Sequence, residues 1–304
     1  MPGSRPCATA SPPERAPPSG AGPVQSGVLD ALAFYGLETT ADPLVWRLPV
    51  VRGLCSGQGA LFGGCGLGAA IEVLERVTGR PLVWATAQYL EFARPPAVVE
   101  LEVNEVVRGH YSSQARVLAR VDGQEIFTVL AALGRRDLPW SGDWAIRPDV
   151  PGPEASTTRP MLAHMVGTIV DRLEMRLADA RLSEDLDGTK GPGRCSLWVR
   201  LPDGLGPTAA TLAIVGDYVP FGIGQALGRP LWSNSLDNTL RFVRSHPTEW
   251  VLADVRVHAV LDGFGHGLVH LWAEDGTLLA TASQSSIVRE LTPERDPRQE
   301  QLPR

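Results

Sequence analysis

Two stretches of the chain decide how the rest is read: Ser233-Asn-Ser-Leu-Asp-Asn-Thr-Leu-Arg-Phe242 and the earlier Ala85-Thr-Ala-Gln-Tyr-Leu-Glu-Phe-Ala-Arg94. Each alternates apolar and polar residues as a half-buried strand does. Matching Phe92 to Phe242 sets a step of 150 residues, and matching the hairpin turn Asp122-Gly123 to Asp275-Gly276 sets one of 153. Two similar steps so far apart in the chain mark a tandem duplication.

Working outward, the unit that is duplicated comes into view. Before the first copy lies Leu61-Phe-Gly-Gly-Cys-Gly-Leu-Gly-Ala-Ala-Ile-Glu-Val-Leu-Glu-Arg-Val-Thr78, glycine-rich and then apolar nearly all round until Glu75. A helix so apolar is a buried one, and its glycines permit close approach of backbone or ligand. After Pro81 the texture changes to alternating strands, with turns at Arg108-Gly109 and Asp122-Gly123. The second half restates the plan, with a strand from Ser196, a helix opening at Pro207, and strands at 235–244, 250–261, 267–274 and 278–290. A helix wrapped by one antiparallel sheet, twice over, predicts an α+β double hotdog. Residues 25–138 and 195–291 are the expected halves, and residues 139–194 are read as a linker and insert, helical in part over 161–180. Residues 1–24 are a Pro/Gly/Ser tail expected to be disordered, residues 292–304 a second tail, and Val28–Tyr35 a short amphipathic helix.

Composition narrows the function. The 304 residues carry a net charge of −6, with 43% hydrophobic and 20% charged residues. That is a globular composition, and its sign argues against a nucleic-acid partner. No apolar run reaches the length of a membrane span, and the N-terminus lacks the apolar core of a secretory signal, so a cytoplasmic protein is expected. Cys7, Cys55, Cys65 and Cys195 are scattered without a C-x-x-C pair. His266 and His270 stand four apart, but on a strand that is about 13 Å. No metal site is expected.

Several of these residues resemble the acyl-CoA thioesterase II (TesB-like) family of double hotdogs. They are Val28 to Phe34, Phe62-Gly63-Gly64, Leu90-x-Phe-x-Arg94-Pro95, Ser235-Leu236-Asp237, Trp250-Val251-Leu252 and Asp275-Gly276-x-Leu278-x-Ala280-x-x-x-Gln284. Together they cover roughly residues 28–136 and 195–290. The resemblance implies hydrolysis of an acyl-CoA or acyl-carrier thioester by a water held between Asp217, Ser235 and Gln284. It places Asp217 in a helix of the second half, implies no cofactor, and makes a homo-oligomer the expected assembly. The chain departs from the family pattern in having Ser235 for the commoner Thr, Asn238 where His is usual, and Ser-Ser after Gln284.

Taken as residues, the three suit the chemistry. A carboxylate can take a proton from water, and a glutamine and a serine can orient it. The repeat adds an argument of its own: at a step of 150, Ser235 matches Ala85, and at 153, Gln284 matches Ala131. Polar groups kept in one copy imply one working site. Glu72, on the first helix, has no such partners and reads as structural. Asp237 reads as a structural strand or dimer-contact residue and His258 as a structural histidine. Two other functions fit the same fold, a hotdog dehydratase or hydratase and a non-catalytic binder of acyl thioesters. The first of these normally needs an Asp–His pair, and no histidine stands at suitable spacing from Asp237.

Overall fold

A computed structural model describes residues 30–202 and 204–291. The expected tails at 1–24 and 292–304, and the first two residues of the expected helix at 28–35, lie outside them. That helix, α1 (Ala31–Tyr35), starts where the Asp30 carboxylate accepts the Leu32 N–H and stops at Gly36 in the left-handed conformation. Two short strands follow, β1 (Glu38–Thr39) and β2 (Val45–Pro49).

The glycine-rich run becomes α2 (Gly63–Thr78), with twelve of its sixteen residues buried. Its glycines serve a helix crossing. A Cβ on Gly64 would come within 2.6 Å of the Ala213 carbonyl and 2.8 Å of Ile214 Cα, and one on Gly68 would collide with Ala210 and the Tyr35 hydroxyl. Those partners lie on or beside α3 (Ala209–Gly216), every residue of which is buried. The Tyr35 hydroxyl donates to the Ala210 carbonyl at 2.8 Å and ties α1 to the same crossing.

Around the helices runs one antiparallel sheet. The first half contributes β3 (Leu82–Tyr89), β4 (Val98–Arg108), β5 (Ser112–Val121) and β6 (Gln124–Gly134). The second contributes β7 (Thr157–Thr158), β8 (Glu174–Asp179) and β9 (Arg194–Arg200), then α3, α4 (Val219–Leu227), β10 (Leu231–Phe242), β11 (Trp250–Leu261), β12 (Phe264–Ala273) and β13 (Leu278–Glu290). Strand order is β1-β2-β4-β5-β6-β3-β10-β13-β12-β11-β9-β8-β7. Read outward from the β3–β10 seam, the two sides mirror each other strand for strand until β7. At the seam Thr86 pairs with Thr239, and their hydroxyls hydrogen bond at 2.7 Å.

Register makes the repeat quantitative. Thr86 faces Leu130 on β6, Thr239 faces Ser283 on β13, and both members of the second pair stand 153 residues beyond those of the first. Bulges also correspond, at Leu82/Trp84 in the first half and Ser235/Asp237 in the second. The 150-residue step from Phe92 to Phe242 is therefore wrong for this strand. Phe242 corresponds to Tyr89, Asn238 to Ala85, and Ser235 to Leu82. Gln284 does correspond to Ala131.

Residues 161–180, expected to be helical in part, form short 3-10 helices at Ala163–Met165 and Ile169–Arg172, and then the strand β8, which pairs with β9. The main core fills the space between helices and sheet. A smaller cluster, Trp198, Trp250, Leu252, Trp272 and Leu278, packs with Ala145 and Val150 of the connecting segment and with Ala178. Trp198 donates its indole N–H to the Pro151 carbonyl at 2.8 Å. The connection between the halves is thus a strap with its own core.

Candidate active site

The expected trio converges although its members come from a helix break and two strands. Asp217 caps the C-terminal end of α3, where the backbone (φ −90°, ψ 41°) leaves the helix. Pro220, in the first turn of α4, cannot continue a helix across the join. The resemblance put Asp217 in a helix; the structure puts it at the break between two. From there the carboxylate turns toward the N-terminus of α2, and Oδ2 accepts the Gly64 N–H at 2.7 Å. That N–H is one of the amides a helix start leaves unpaired, and it favours an anion.

Ser235 reaches the site because of the bulge. On a regular strand, residues 235 and 238 would point to opposite faces. The bulge between Ser235 and Asp237 puts Ser235 opposite Ser286 and Asn238 opposite Gln284, so both take the helix-facing side. The Asp237 carboxylate fastens this kink by accepting the Ser285 N–H at 2.8 Å. Gln284, 2% exposed, then donates its amide to Asp217 Oδ1 and to Ser235 Oγ, the latter at 2.6 Å. A carboxylate only accepts, so the amide nitrogen must face it.

Burial dominates the electrostatics. Asp217 is 5% exposed, and loss of solvation pushes its pKa up from 3.8 to about 7, against the hydrogen bonds from Gln284 and Gly64 that favour the anion. A carboxyl group poised there exchanges protons at neutral pH. Glu72 lies elsewhere, held by Arg76 at 2.7 Å. His258 is exposed on β11.

A cavity of about 450 Å³ opens on Asp217. Phe62, Tyr218, Phe221 and Trp232 line it, and Leu177 and Leu182 supply a wall from the segment expected to be an insert. Arg159, Arg181 and Arg229 add positive charge to the lining. Sequence reasoning missed this wall, since β8 is a six-residue strand set among 3-10 turns and its alternation is short. It also missed the Gly64 N–H, although the Gly63-Gly64 pair marked the place.

Comparisons with known proteins bear on the family and the fold. The family model for the acyl-CoA thioesterase C-terminal domain matches residues 147–288. A solved structure assigned as a thioesterase, from Novosphingobium aromaticivorans, is 30% identical, with a TM-score of 0.72 over 87% of this chain and 98% of that one. A protein with a hot dog fold from Alicyclobacillus acidocaldarius is 20% identical, with a TM-score of 0.72 over 86% and 99%. An acyl-CoA thioesterase II from Mycobacterium marinum is 18% identical, with a TM-score of 0.67 over 86% and 98%. No curated protein sequence matches the chain. Sheet, helices and matches define a hotdog-fold thioester hydrolase. The chain belongs to the thioesterase family, and its residues 147–288 match the acyl-CoA thioesterase C-terminal domain.

Proposed function

We propose that the chain hydrolyses acyl-CoA to a free acid and CoA at a single site built from Asp217, Ser235 and Gln284, on a double-hotdog scaffold. The observation that carries this reading is the hydrogen-bonded run Asp217–Gln284–Ser235, whose Asp217 end opens on a largely apolar cavity. A water beside the carboxylate gives a proton to Asp217 as its oxygen attacks the thioester carbon. The new C–O bond pushes the carbonyl π pair onto oxygen. Collapse of that intermediate expels the thiolate, which takes the proton back from Asp217 and leaves as the thiol. No covalent acyl-enzyme is needed. The apolar walls suit an acyl chain, and the three arginines suit the phosphates of CoA.

Release of free thiol from a panel of acyl-CoAs tests the reading. Asp217→Asn keeps the shape of the site but cannot accept the proton, and is expected to lower kcat by roughly a thousandfold or more. Wild-type rates in that variant would sink the assignment. His164 also lines the cavity, which keeps a hydratase as the second reading. Turnover of an enoyl thioester without thiol release would identify it. By the edge-to-edge habit of such sheets, the assembly we propose is a homo-oligomer.

A further inference from the structure

Buried polar atoms without a protein hydrogen-bond partner gather on one side of this site. They are the Tyr89 hydroxyl, both amide atoms of Asn238, the Gln284 carbonyl and the Ser286 hydroxyl. Asn238 is 1% exposed. Folds bury such groups only where something else satisfies them, and clusters of them mark functional positions.

Their placement is specific. Asn238 stands in the ladder between Ala87 of β3 and Gln284 of β13. Tyr89 lies two residues beyond Ala87 and therefore on the same face. Its ring sits 6.3 Å from Phe127, and its hydroxyl reaches over Gly63. A Cβ on Gly63 would lie 3.0 Å from that hydroxyl oxygen and 2.8 Å from Asp217 Oδ2, so both groups border the space left by a residue that has no side chain. Burial first, then the negative charges of Asp217 and Asp237, raise the Tyr89 pKa well above its usual value, and the neighbouring Asn238 side chain, close enough to hydrogen bond to the phenol oxygen, opposes them in part. The phenol stays protonated and stays a donor.

Two amide donors near Asp217 are committed. The Gly64 N–H goes to Asp217, and the Gln284 amide goes to Asp217 and Ser235. An oxyanion formed beside Asp217 needs donors that are free before the reaction. Resting on the reading of Asp217 as the base, we propose that the Tyr89 hydroxyl and the Asn238 amide form the oxyanion hole, with the first half of the chain lending a catalytic side chain to the site of the second. The register counterparts of the two residues are Phe242 and Ala85, which carry no donor, so the pair exists at one place only.

The test is steady-state hydrolysis of decanoyl-CoA by wild type, Tyr89→Phe, Asn238→Ala and Asp217→Asn, with a melting curve for each. Tyr89→Phe deletes one oxygen and is expected to fold normally. Both Tyr89→Phe and Asn238→Ala should lower kcat by roughly a hundredfold while KM stays nearly constant. Wild-type kcat in Tyr89→Phe, or an effect confined to KM or to melting, would overturn the proposal. A fully active Asp217→Asn would instead overturn the base assignment, so the two failures are distinguishable.

Discussion

The same row of the sheet is built in opposite ways in the two halves. In the first half, Arg47, Glu100, Arg120 and Glu125 pair in sequence across β2, β4, β5 and β6. In the second, the corresponding row across β9, β11, β12 and β13 is Trp198, Leu252, Trp272 and Leu278. The charged row faces water, with Arg120 within 3.3 Å of Glu125. The apolar row is roofed by the strap, with Ala145 and Val150 packed on it. Inside, the contrast is inverted. Leu82–Leu133 and Ala85–Ala131 of the first half correspond to Ser235–Ser286 and Asn238–Gln284 of the second. One half is apolar within and charged without; the other hides its apolar row under the strap and spends its interior on chemistry. A duplicated fold freed one copy to carry a destabilising interior, and the covered outer row offsets part of what that interior costs.

Removing the roofed core should break the comparison most severely. Trp272→Ala leaves a large void under the strap and is expected to cost about 3–5 kcal/mol in denaturant unfolding. Arg120→Ala, at the matching place in the first half, should change stability by only a small fraction of that, since exposed ion pairs contribute little. Equal effects would mean the strap is no true core.

The interior should show the opposite sign. Asp217 has a folded-state pKa of about 7 against 3.8. Between those values the folded state holds a proton that the unfolded state has lost, so stability falls as pH rises through this window. The penalty is absent below about pH 4 and reaches about 4 kcal/mol above pH 7. Asp217→Asn should therefore be more stable than wild type at pH 8 and no more stable at pH 4, measured by urea unfolding. A variant less stable at pH 8 would show that the buried carboxylate stabilises the fold.

The smallest effect belongs to the bulge. Asp237→Asn keeps an oxygen to accept the Ser285 N–H and should remain close to wild type, while Asp237→Ala releases the kink and should lower kcat roughly tenfold by misplacing Ser235. Identical kinetics in the two variants would show that the bulge holds without the carboxylate. Leu82/Trp84 keep the matching bulge with no such latch, which is why a modest effect is expected.

These particulars show what could be read before the structure. The alternation of β4 to β6 and of β11 to β13 was legible because one face meets the core, and the apolar run after Gly63 was legible as a buried helix. The trio came from the resemblance and from Gln284 standing where Ala131 does. The partner assigned to Ser235 was misread because similarity around Phe92 and Phe242 runs at one step and hydrogen-bond register at another. A bulge adds a residue where the period of two would have exposed the error. The role of Asp237 was half seen, as structural, without the N–H it accepts. The strap and the cavity wall were illegible because their contacts join residues far apart in sequence, and the one strand among them, β8, alternates over only six residues.

The central claim is one site with Asp217 as its base, and the pH dependence of kcat/KM for decanoyl-CoA tests it most directly. A single acid limb with its midpoint near pH 7, lost in Asp217→Asn along with the activity, is the expected result. A limb near pH 4, or the same limb persisting in an active Asp217→Asn enzyme, would contradict it.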